Sequence, residues 1–129
     1  MRRIVLIMLC FLLCFLVGCN GRYKTIDEEK IVSAEVWTHN GNYELNDDEL
    51  TEVIKLYNAS EYQGKATGEG GTPEFGVIIS FENGDWLYVN EFCGKSGDFE
   101  AFYKATKAFY LDNEELLSYV RELCEDNIE

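Results

Sequence analysis

The stretch FGVIISFENGDWLYVNEF, residues 75–92, decides the fold. Two apolar runs, rich in β-branched and aromatic residues, flank Asn83-Gly84, the dipeptide that most strongly marks a β-hairpin. A two-residue turn there predicts the pairs Phe81 with Trp86, Ile79 with Tyr88, Val77 with Asn90 and Phe75 with Phe92. All of these side chains then share one face, apolar except at Asn90, and that face must meet a core. The other face carries Ile78, Leu87 and Val89 beside Glu82, Asp85 and Glu91, and is expected to be partly exposed.

Upstream, KIVSAEVWT (residues 30–38) alternates as a strand, with Val32, Ala34 and Val36 on one face and Ser33, Glu35 and Trp37 on the other. His39-Asn40-Gly41-Asn42 closes it with turn chemistry. A helix then opens at Asn46, whose side chain can cap it while Glu49 completes a capping box; Asp47 and Asp48 suit the positive helix end. Leu50, Val53, Ile54 and Tyr57 form its apolar stripe, and it should end near Asn58 or Ser60. QGKATGEGGTP, residues 63–73, holds four of the eleven glycines and the only proline and reads as a mobile loop. It lacks the Gly-Lys-Ser/Thr ending of a phosphate cradle.

Downstream of the hairpin, residues 93–97 read as a turn. Residues 99–111, FEAFYKATKAFYL, fit either a helix or two strands split around residues 104–107. The next segment favours strands. Asp112-Asn113-Glu114-Glu115 opens a second capped helix, with Leu116, Val120, Leu123 and Cys124 on one stripe. Its start matches that of the first helix: Tyr43-Glu44-Leu45-Asn46-Asp47-Asp48-Glu49-Leu50 aligns with Phe109-Tyr110-Leu111-Asp112-Asn113-Glu114-Glu115-Leu116. The first copy follows a strand, so the second should too. The fold class expected is α+β: an antiparallel sheet of about four to five strands with two helices packed on one face.

The N-terminus carries a separate message. Met1-Arg2-Arg3 precedes an apolar run of fourteen residues, 4–17, and the tetrapeptide Leu16-Val17-Gly18-Cys19. A membrane-spanning helix needs about 20 apolar residues. The run is short for that, lacks the polar face of a buried domain helix, and fits a secretory signal. Leu16-Val17-Gly18-Cys19 resembles the lipobox of bacterial lipoproteins. The resemblance implies cleavage before Cys19 and a thioether-linked diacylglycerol on it, with room for a further acyl chain such as palmitate on its amine. Two chains anchor stably where one is marginal. The chain therefore divides into a signal peptide (1–18), a lipidated tether (19–29) and one small domain (30–129). Ten tether residues reach at most roughly 35 Å. The expected location is the cell membrane, on its extracytoplasmic face.

Losing Arg2 and Arg3 leaves nine basic residues against 24 acidic ones, a net charge near −15. That excludes nucleic acid, which requires a positive footprint. Eighteen aromatic residues, all but Phe11 and Phe15 beyond the leader, exclude disorder for most of the mature chain.

Motifs of chemistry are sparse. His39, the only histidine, follows a strand and has no nucleophile motif near it, so it reads as a turn residue. The acidic groups at 47–49 and 112–115 lack the spacing of a calcium loop and are accounted for by helix capping. No catalytic residue, metal ligand or cofactor is assigned. Cys93 and Cys124 fit either a disulfide or two buried thiols. Trp37, Ile78, Leu87 and Val89 are the candidate partner patch.

Beyond the leader, the chain resembles small lipoproteins of Gram-positive bacteria through Gly71-Thr72-Pro73, the Asn83-Gly84 hairpin and the run Phe109 to Leu116. The resemblance implies a membrane-tethered extracytoplasmic domain and no catalytic residues. Three functional readings are open. The first is a non-enzymatic binding or interaction module. The second is an immunity-like or inhibitor protein that captures a cationic peptide or enzyme. The third is a small hydrolase using scattered carboxylates.

Overall fold

The computed structural model describes residue 26 and residues 30–66, 72–92, 94–98 and 107–128. Strand β1 (Ile31–Thr38) turns through His39-Asn40 into β2 (Gly41–Glu44), and helix α1 (Asp47–Asn58) comes next. Then come β3 (Glu61–Lys65), β4 (Phe75–Phe81), β5 (Asp85–Asn90), β6 (Gly94–Asp98), β7 (Lys107–Asp112) and helix α2 (Glu114–Asn127). The strands form one sheet in the order β2-β1-β4-β5-β6-β7-β3, antiparallel at every pairing. Among the described residues the α+β class and the two helices stand as the sequence indicates, but the sheet is wider, with seven strands.

Two of the extra strands come from segments whose composition suggests turn or loop. GKSGD is β6 because β5 and β7 pair with it on both sides, which overrides its weak β-propensity. A side chain at Gly94 would overlap the Phe109 ring that lies over it. The start of the glycine-rich segment, Gln63 to Lys65, belongs to β3, which pairs with β7 at the sheet edge. Of residues 99–111, the part from Lys107 on is strand, in line with the match between the two helix starts; 99–106 lie outside the described residues.

The hairpin is present with a different register. Val77 faces Val89, Ile79 faces Leu87, and Ser80 faces Trp86. The turn spans three residues, not two, and Gly84 takes a φ of 85°. The Gly84 N–H donates to the Phe81 carbonyl at 3.1 Å, and the Asn83 side chain accepts from the Asp85 N–H at 2.9 Å. A type I turn followed by a left-handed glycine is the usual three-residue solution. One added turn residue moves every β5 side chain to the opposite face. Leu87 and Val89 therefore enter the core, and Trp86, Tyr88 and Asn90 lie on the other side.

The core is built from Ala34 and Val36 on β1, Phe75, Val77 and Ile79 on β4, Leu87 and Val89 on β5, and Phe109 on β7. Against them pack Val53, Ile54, Leu56 and Tyr57 of α1, and Leu116, Val120, Leu123 and Cys124 of α2. Both helices thus cover one face of the sheet. A bulge between Ile31 and Ser33 turns Val32 out, so it does not join Ala34 and Val36. The capping box at α1 forms as expected: the Glu49 N–H donates to Asn46 Oδ1 and the Asn46 N–H to Glu49 Oε2, each at 2.9 Å.

Ile26, placed in the tether by its sequence context, is packed into the core. The Asn58 side chain at the end of α1 grips both of its backbone groups. The Ile26 N–H donates to Asn58 Oδ1 at 2.8 Å, and Asn58 Nδ2 donates to the Ile26 carbonyl at 3.1 Å. The domain thus reaches back at least to residue 26. Among the described residues, no helix is long and apolar enough to cross a membrane.

Candidate functional site

Strand alternation and register place a small set of side chains on the sheet face away from the helices. On β2 and β1, Glu44 lies opposite Glu35, and Asn42 opposite Trp37. On the β4 side, Ile78 lies opposite both Glu35 and Tyr88, and Gly76 opposite Trp37. The result is an aromatic strip edged by two carboxylates.

The strip has a defined geometry. The Trp37 and Tyr88 rings lie 5.7 Å apart at 37°, and His39 meets Trp37 edge-on at 5.8 Å and 78°. Gly76 is what allows this approach. A Cβ there would sit 2.7 Å from the Val89 carbonyl oxygen, 2.8 Å from Tyr88 Cε2 and 3.0 Å from Trp37 Nε1. The indole N–H is buried and has no hydrogen-bond partner among the described residues, a cost that folded proteins rarely accept. Glu35 accepts from Asn42 Nδ2 at 3.1 Å, which fixes one carboxylate beside the indole. Trp37, Tyr88, Ile78 and Glu35 are half-buried, and Glu44, Asn42 and His39 are exposed. Trp86 and Asn90, further along the same face, are buried.

This corrects the expected patch. Trp37 and Ile78 share the face, whereas Leu87 and Val89 lie in the core beneath it, because the three-residue turn reverses the faces of β5. Tyr88, Gly76, His39, Glu35 and Glu44 take part instead. Glu35 and Trp37 were legible as neighbours on one strand face. Glu44 and Tyr88 depend on pairings between strands that the chain does not announce.

Other candidates resolve differently. Cys124 is buried, with its thiol 3.9 Å from the Trp37 carbonyl oxygen. Cys93, its candidate disulfide partner, lies outside the described residues, as do Cys19 and residues 1–18. Asp47, Asp48 and Glu49 occupy the first turn of α1, and Glu114 and Glu115 that of α2. Among the described residues, no three metal-ligating side chains gather. A depression lined by Asn90, Phe92, Leu111, Asn113 and Leu116 has about 20 Å³ of space, enough for one water.

On the helix side, two phenols have their pKa raised. Burial raises the pKa of Tyr43, and Glu49, which accepts its hydroxyl proton at 3.3 Å, adds to the effect. Burial also raises that of Tyr119, followed by the negative charges of Glu49, Glu52, Glu122 and Asp48. No protein-family model matches this chain, and no curated protein or solved structure is similar enough to lend it a role.

Proposed function

We propose that the protein is a lipid-anchored extracytoplasmic module that binds a partner through the sheet face opposite its helices and catalyses no reaction. The observation that carries the binding reading is the Trp37–Tyr88–His39 cluster. Large aromatic side chains occupy a face that the helices leave uncovered, and accessible aromatic clusters are enriched where proteins bind one another. The anchoring reading is supported by the leader and by Leu16-Val17-Gly18-Cys19. Because Ile26 is fixed to Asn58, the chain between Cys19 and the domain spans at most about 25 Å. The domain then works close to the bilayer.

Two measurements on one preparation test this. Intact mass of the membrane-extracted protein should show acylation of Cys19, and a Cys19→Ala protein produced without residues 1–18 behind a cleavable secretory leader should leave the membrane fraction. A photocrosslinking residue at position 42 should capture a defined partner from intact cells, whereas one at position 125, on the outer side of α2, should not. Membrane retention of a Cys19→Ala chain that has lost its leader overturns the anchor. Equal crosslinking at both positions overturns the binding face.

A further inference from the structure

We propose that the Trp37 face takes a basic side chain of a peptide or protein partner. An arginine or lysine in an extended segment would find Glu35 and Glu44 as counter-charges and Trp37 and Tyr88 as the surface for its stem. This rests on the binding-module reading and adds the partner's chemistry.

The first argument is the placement of the acids. Glutamate is depleted in strands, and like charges directly opposite one another destabilise a sheet. Yet Glu35 and Glu44 are direct cross-strand partners on one face. Among the described residues, no ion pair joins either to a cation. The other acids that touch defined partners serve the fold: Glu49 closes the capping box, and Glu52 pairs with Lys55 at 3.2 Å. Asp47, Asp48, Glu114 and Glu115 complement helix N-termini. Glu35 meets only the neutral Asn42 amide and Glu44 lies beside it with no cation among the described residues, so a positive group placed between them would offset two like charges.

The second argument is the aromatic wall beside them. A guanidinium or ammonium is attracted to a ring face within about 6 Å of its centroid, and arginine also matches carboxylates in a fork. The fold already uses that attraction once, where the Arg121 guanidinium lies 5.2 Å from the centre of the Phe75 ring. On the outer face the rings and acids are in place and the cation is not supplied by the domain's described residues. The third argument is long-range. A net charge of −13, or near −15 once Arg2 and Arg3 are removed with the leader, concentrates cationic partners around the domain before contact. The strip crosses strands on a sheet surface and suits an extended segment better than an enclosed small molecule.

The test uses the full lipidated chain in uncharged detergent, with dye-labelled hexa-arginine amide as the probe. Hexa-glutamate and a neutral glycine-serine hexamer are the comparisons, and anisotropy is the readout. Hexa-arginine alone should bind, and about tenfold more weakly at 300 mM than at 50 mM salt. Glu35→Gln with Glu44→Gln should weaken binding about five- to tenfold, and Trp37→Leu by a similar factor. Glu125→Gln with Asp126→Asn removes the same charge from exposed positions at the end of α2 and should change binding less than about twofold. Equal losses from both double variants would mean that bulk charge attracts the probe, and would overturn the proposal. So would absence of hexa-arginine binding. Binding of the neutral hexamer that is sensitive to Trp37→Leu but not to the glutamates would overturn the cation assignment and leave the binding module standing. The mass of Cys19 in the same samples reports separately on the anchor.

Discussion

Asn113 joins the two helices with one side chain. Its Oδ1 caps α2 by accepting the Leu116 N–H at 3.0 Å. Its Nδ2 donates to the Leu56 carbonyl at 2.7 Å and to Ser60 Oγ at 3.0 Å, at the other helix's end. The Ser60 hydroxyl donates to the same Leu56 carbonyl at 3.0 Å. A lost N-cap costs about 1 kcal/mol, and each lost buried hydrogen bond about as much. Asn113→Ala should therefore lower unfolding free energy by about 2–4 kcal/mol in urea titration. Asn113→Asp keeps the cap but sets a carboxylate against a carbonyl oxygen, so it should recover only part of the loss. A full recovery in Asn113→Asp would show that only the cap matters. A capped helix start was legible in Asp112-Asn113-Glu114-Glu115, but the match with the first helix sets Asp112 against the cap Asn46, and the cap is Asn113, one residue on. The bond to Leu56 was not legible, since 57 residues separate the two and no local pattern encodes it.

Strand β5 shows what periodicity can and cannot decide. Its strand character and the position of its turn were both readable from composition; the turn's length, three residues and not two, was not. Its register was not, because Leu87 and Val89 on one side and Trp86 and Tyr88 on the other are both apolar sets. Burial preference alone cannot choose between two such faces. The turn geometry chose, and with it the residues that line the aromatic strip. β6 was hidden for the opposite reason: GKSGD has almost no strand propensity, and its two neighbours hold it. Gly76 ties this level to function. Its backbone needs no left-handed conformation, so only space is at issue. Gly76→Ala should push Trp37 and Tyr88 apart against the Val89 carbonyl and cost about 1–3 kcal/mol, as overpacking does. Tryptophan emission should change with it. An Ala variant of unchanged stability and emission would mean that the two rings are not held by that contact.

For the molecule as a whole, the boundary between tether and domain falls earlier than composition suggests. TIDEE, residues 25–29, has no periodicity, and its charges conceal one buried isoleucine. Its significance depends on Asn58, a polar residue at a helix end whose side chain holds both backbone groups of Ile26. Burying an isoleucine is worth about 1.5–3 kcal/mol. Replacing Ile26 by Ser should remove most of that, while Thr25→Ser should leave stability unchanged. Denaturant midpoints compare them directly, and equal midpoints would show that the clamp contributes nothing to folding. The same acidity that would draw a basic partner also sets a limit at high pH. Tyr119 sits on α2 among Asp48, Glu49, Glu52 and Glu122, and folding raises its pKa above the ordinary 10.0. The folded protein therefore keeps a phenol proton that the unfolded chain has begun to lose near pH 10. Release of that proton favours the unfolded state, so the contribution is intact below pH 10 and declines as pH rises through the folded value. Tyr43 adds a shift of the same sign. Stability measured in urea at pH 9 and pH 11 should fall more steeply in the wild type than in Tyr43→Phe with Tyr119→Phe. The comparison cancels the lysines common to both. Burial is the largest single cause at both sites and is not screened, so 0.5 M salt should flatten the difference only in part. Complete loss of the difference in salt would assign the effect to the carboxylates instead. Equal slopes in wild type and variant would remove the two phenols from the alkaline limit altogether.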